Sequence, residues 1–136
     1  MKGLYLEELP IGETFALGSH HFTTEEFTQF AYPKSLLGFC GWMATYVAFN
    51  AEARAQRLAT EGREPAFGPS PGVQDLQLGV AIKPGDVVHY SSTPIHARAF
   101  NSKPGWGIVE SENQGVNDKG EMVVRFKAKV LIATKP

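Results

Sequence analysis

Glu110 and Glu112 are two carboxylates at alternate positions, beside Ile108, Gln114 and Val116. In an extended chain all five side chains would share one face. Turned towards a core, such carboxyls would hold their protons and could act as general acids or bases. Turned towards water they are simply solvated, and this is the plainer reading, because unpaired charges are seldom buried. His96, close to Arg98, could meet a phosphate or lie on a wet strand. His20 and His21 are adjacent, so on a strand they point to opposite faces and cannot form a metal site by themselves. His89 and His96 also face opposite sides of one strand, unless a bulge at Pro94 resets the phase. Cys40, the only cysteine, would gain thiolate character at a helix N-terminus. Within an apolar run and with no base near it in sequence, it reads as core.

The elements that must position these groups are legible in the chain. Residues 35–51, SLLGFCGWMATYVAFNA, carry no formal charge. The run is short for a membrane span and includes Ser35, Thr45 and Asn50. Alternating polar and alanine positions follow it, so it predicts a core helix, buried first and half-exposed later. Ser35 is the expected cap and Gly62 the stop, at about 38 Å of length. Thr23–Glu26 fits a capping box that opens a shorter helix, with Phe22 and Phe27 as its staple. That helix should run to about Tyr32, ahead of Pro33. Residues 62–72 are rich in Gly and Pro and read as a loop.

Strands are expected at Thr14–Phe22, Val73–Val80, Val87–Ala99 and Trp106–Val116. A last strand buries Val124, Phe126, Ala128, Val130 and Ile132. Turns fall at Lys83–Asp86 and Asn117–Gly120. The expected class is α+β, an antiparallel sheet wrapped round one long helix, in a single domain spanning residues 1–136.

A net charge of -1 gives no reason to expect nucleic acid or an anionic membrane as partner. One cysteine excludes an internal disulfide and a Cys-rich zinc site. Glu7 and Glu8 interrupt any signal-like apolar stretch, so a cytoplasmic location is expected. The chain has no phosphate-binding glycine loop, zinc motif or serine-hydrolase motif, and neither metal nor cofactor is expected.

Three segments carry a resemblance to a known family. These are LYLEELPIGETFALGSHHFTTEEFTQFA, the Gly41-Trp42 pair, and the KPGD turn with its following strands and the N-x-x-G-E hairpin. Together they resemble the MaoC-like dehydratase branch of the hotdog fold, related to (R)-specific enoyl-CoA hydratases, over nearly the whole chain. The resemblance implies an acyl-CoA type ligand, a homodimer whose sheets join, and, in an active member, a hydro-lyase. Active members hold water between an Asp and a His that precede the central helix, and helix-start amides polarise the thioester oxygen. From Ala31 to Gly41 this chain has no Asp, Glu or His, and Met43 stands where many relatives carry His.

What carries over is a backbone donor for the substrate at the helix start, near Gly38 or Gly41 and beside Trp42. Lys34, Arg98 and Lys103 are candidate contacts for coenzyme A phosphates, or the ordinary charges of any surface. Two readings therefore stay open. The chain could be a thioester-handling enzyme with relocated groups, for which Glu110, Glu112 and His96 are the candidates. It could instead be a non-catalytic homologue or partner subunit. A thioesterase is a third reading, disfavoured by the uncharged first half of the helix.

Overall fold

The computed structural model describes residues 4–63 and 72–136. In chain order it contains β1 (Phe15–His21), α1 (Thr24–Gln29), α2 (Leu37–Glu61), β2 (Gly72–Leu78), β3 (Val87–Ala99), β4 (Trp106–Asn117) and β5 (Met122–Ala133). Single 3-10 turns lie at Leu6–Glu8 and Lys34–Leu36. The strands form one antiparallel sheet in the order β1-β3-β4-β5-β2, so β2 leaves the helix and pairs at the far edge. The class is α+β, as expected. Most of the loop expected at residues 62–72 lies outside the described residues.

Local chemistry explains most boundaries. The Thr23 hydroxyl accepts the Glu26 amide at 3.1 Å and opens α1. The other half of the expected capping box is replaced, because the Glu26 carboxylate turns to His20 instead. α1 stops well before Tyr32: Phe30 is extended, and the Lys34 ammonium takes up the carbonyls of Phe27 and Phe30. Ser35 does not cap α2, which grows directly out of the 3-10 turn with Leu36 at its N-cap and no side-chain capping bond. At the other end Gly62 adopts φ 74° and stops the helix. In the β4–β5 hairpin the Asn117 carboxamide accepts the amides of Lys119 and Glu121.

One side of α2 meets the sheet. Trp42 and Phe39 pack edge-on against Phe126 of β5, with ring centroids 4.6 and 5.1 Å apart, and Trp42 stacks on Tyr46. Gly41 lets the helix approach β3: a Cβ there would lie 2.5 Å from the Tyr90 hydroxyl and 2.7 Å from Phe22. The opposite side is open. Met43 is 48% and Val47 63% exposed, and Cys40 and Ala44 are exposed beside them. The expected all-round burial of the first half, and of Cys40 with it, is thus corrected. A single sheet covers only one face of a helix, and among the described residues no second layer lies over the other.

Candidate functional site: a cleft between the helix and the edge strand

The strand pleat decides which side chains meet α2. Along β4, Gly107, Val109, Ser111, Asn113 and Gly115 are buried and face the helix. Glu110 and Glu112 alternate with them and lie on the outer face, half-exposed. Glu112 stands 3.9 Å from Arg125, and Glu110 pairs in register with His96 and Lys129. β3 has a register shift between Pro94 and His96, so the bulge alternative applies and His89 and His96 are both on the exposed side. The three catalytic candidates therefore share the outer face, away from the helix.

Arg98 and Lys103 are also remote from the helix start. Tyr90 marks that start on β3, and Arg98 lies roughly 25 Å further along the strand at about 3.3 Å per residue. There Arg98 sits over Phe100, and Lys103 over Trp106. Lys34 does stand at the helix start, with its ammonium bonded to the α1 carbonyls.

The helix start is built from apolar groups and one phenol. Gly38 packs against Val123, Ile82 and Val124. The Tyr90 hydroxyl donates to the Gly38 carbonyl at 2.7 Å. Burial, with smaller contributions from the neighbouring Cys40 and Glu26, pushes this phenol well above its ordinary range, so it remains a donor. Gly38 lies in the first turn of α2, where the preceding 3-10 turn already supplies an acceptor, the Lys34 carbonyl, to the Leu37 amide; Gly41, the fifth residue of α2, has its amide inside the ladder. Among the described residues, no Asp, Glu or His side chain hydrogen-bonds to residues 38–42.

One His–carboxylate pair does face the helix side. His20 Nε2 meets the two Glu26 oxygens at 2.8 and 3.1 Å, and the His20 ring packs edge-on against Phe22. Sequence reading assigned Glu26 to a cap and His20 to a strand end. The six-residue separation of a His and a Glu across a β-to-α corner was the available signal. The pair is on the β1 flank, where Gly18 approaches Thr45. It clips α1 to β1.

The opposite flank of α2 carries a cleft. Its first part, about 150 Å³, lies between Gly38, Ser35 and the segment from Leu78 to Ile82. The second, about 220 Å³, begins at the next helix residue, Phe39, and runs past Trp42 and Met43 to Val47. Val73, Ala128 and Val130 form its sheet side, and Ser111 and Tyr46 supply its polar side-chain groups together with the Trp42 indole. A larger crevice of about 460 Å³ lies among turn residues such as Lys83, Asp86, Asp118 and Lys119. It carries charges of both signs beside the aliphatic Val80, Ala81 and Val87. Among the described residues, no group of three His, Cys, Asp or Glu side chains could hold a metal ion. No described helix is long and apolar enough to cross a membrane.

This architecture is similar to that of solved structures. A MaoC-like dehydratase from Rhodospirillum rubrum matches over 98% of this chain and 99% of its own, with 23% identity and a TM-score of 0.64. A Mycobacterium tuberculosis protein described as a double hotdog fold matches with 14% identity and a TM-score of 0.66, over 99% of this chain and 46% of its own. The chain has the hotdog fold. An R-hydratase from Pseudomonas aeruginosa matches at 14% identity and a TM-score of 0.55, over 98% of this chain and 88% of its own. No protein-family model matches the sequence, and no curated protein does. The long central helix of this hotdog fold is α2, and the cleft runs along its edge-strand side.

Proposed function

We propose that this chain is a MaoC-like hotdog protein that binds acyl thioesters in the cleft between α2 and β2, working as a homodimer. The observation that carries this reading is a pair of cavities on one flank of α2, one beside Gly38 in the first helical turn and the other an apolar groove along Phe39, Met43 and Val47. The positive end of the helix dipole suits a thioester oxygen and the groove suits an acyl chain. Similarity to a MaoC-like dehydratase and an R-hydratase supports the same ligand class. The homodimer is supported by the exposed apolar side chains that flank the cleft, Val47 on the helix and Leu76, Leu78 and Val80 at the β2 edge. An exposed free thiol, Cys40, suits a reducing compartment such as the cytoplasm.

Binding is favoured over efficient hydration because the helix start lacks a bonded acid or base, and loss of such a group forfeits about 10²- to 10⁴-fold in rate. The second reading, a hydro-lyase with relocated groups, keeps one specific support: the His20–Glu26 pair on the helix side of the sheet.

Thermal unfolding with free coenzyme A and a panel of saturated and unsaturated acyl-CoA esters tests the proposal. A ligand at about 100 times its dissociation constant adds roughly 2.7 kcal/mol, a shift of several degrees for a domain of this size. Shifts that depend on the acyl group are expected. No shift with any ester would overturn it. Turnover of an enoyl ester by the pure protein would favour the second reading.

A further inference from the structure

The helix-facing side of the sheet is not uniformly apolar beneath the middle of α2. Ser92 of β3 pairs in register with Asn113 of β4, and Ser111 follows two residues earlier on the same face. All three are buried, with Ser92 at 0% and Asn113 at 1% exposure. Asn113 Nδ2 donates to Ser111 Oγ at 3.1 Å, while Ser111 Oγ reaches Asn113 Oδ1 only at 3.4 Å. That last separation is long for a hydroxyl donor, so the Ser111 proton is poorly used. Ser92 Oγ has no partner, and the buried indole Nε1 of Trp42 and Asn50 Oδ1 on α2 are likewise unpaired. Buried polar atoms are normally satisfied, and each one left unpaired needs an explanation.

Trp42 and Ser111 both line the second part of the cleft. Trp42 carries a buried, unpaired N–H donor and Ser111 an underused O–H donor, and Phe39, Val47, Ala128 and Val130 line the same cleft. An indole can only donate, so its missing partner must be an acceptor. Trp42 lies four residues beyond Gly38, about 6 Å along the helix axis. A thioester held at the first turn would therefore bring a carbon well down its chain, not its carbonyl, to this point. We propose that the groove contains a subsite for an oxygen carried distally on the acyl chain, a hydroxyl or keto group bonded by Trp42 Nε1 and Ser111 Oγ. This rests on the thioester-binding reading and narrows its ligand to chains oxygenated towards the far end.

The test is calorimetric titration of the whole chain with two acyl-CoA esters of equal length, one saturated and one bearing an ω-hydroxyl. The hydroxylated ester is expected to bind on the order of fivefold tighter or more. Ser111→Ala should remove most of that preference, read as the ratio of the two affinities. Trp42→Phe, which keeps the aromatic packing, serves as the second variant and should act in the same direction. Equal affinity of the wild-type protein for the two esters, as expected if bound water serves these atoms, would overturn the subsite and leave thioester binding intact. A preference surviving in both variants would also overturn it. Binding of neither ester would overturn both readings together.

Discussion

Gly41 and Tyr90 hold the start of the central helix against the sheet, one by lacking a side chain and the other by donating to Gly38. Gly41→Ala gains up to about 1 kcal/mol of helix propensity but overpacks the contact, which typically costs about 1–3 kcal/mol. Net destabilisation is expected in urea unfolding. Tyr90→Phe should cost about 1 kcal/mol through the lost hydrogen bond. Removing that hydroxyl also makes room for the new methyl group, so Gly41→Ala should cost less in the Tyr90→Phe background; a double-mutant cycle measures this coupling.

Glu8 supplies a pH dependence. Burial alone would raise its pKa, but the Arg57 hydrogen bonds, the Tyr5 amide and the charges of Arg57 and Lys135 bring it below the ordinary 4.5. A carboxyl whose folded value is depressed contributes stability above its unfolded value and loses it as pH falls through the folded one. Glu8→Gln should therefore lower the melting temperature at neutral pH and flatten its fall below about pH 4.5. A parallel downward shift at every pH would count against this.

At the scale of elements, the five strands were legible because a sheet with one buried face writes a period of two into its sequence. The boundaries of β3 match at both ends, Val87 and Ala99. The phase of β3 was not legible, because whether Pro94 is accommodated by a bulge depends on its partner strand, and that decided the face of His96. The length of α2 was legible from apolarity and Gly62, but its exposed side was not. Hydrophobicity indicates that Met43 and Val47 seek cover, without saying whether the same chain supplies it. The β2 edge poses the same question, since Leu76 and Leu78 are 45% and 47% exposed. If a second copy covers this edge, Leu78→Lys should shift the protein from dimer to monomer in sedimentation equilibrium while preserving its far-UV circular dichroism. An unchanged dimer would place the interface elsewhere.

For the whole molecule, the order of elements and the hotdog architecture could be read from the chain, whereas the location of the site could not. The residues chosen for their chemistry, Glu110, Glu112 and His96, are charged or polar because they face water. The cleft is built mainly from residues that look like ordinary core, Phe39, Trp42, Ala128 and Val130. Its polar groups, Ser111 and the Trp42 indole, stand out only once strand pairing and helix packing bring them to one wall.

The most direct measurement is equilibrium titration of a medium-chain saturated acyl-CoA into the pure protein, alongside Val47→Trp. Val47 is 63% exposed and lines the groove, so a larger side chain there should obstruct the acyl chain without disturbing the core. Saturable binding to the wild-type protein, weakened tenfold or more (about 1.4 kcal/mol) by Val47→Trp, is the expected result. Absence of binding to the wild-type chain, or equal binding to both proteins, would contradict an acyl thioester site in the cleft between α2 and β2.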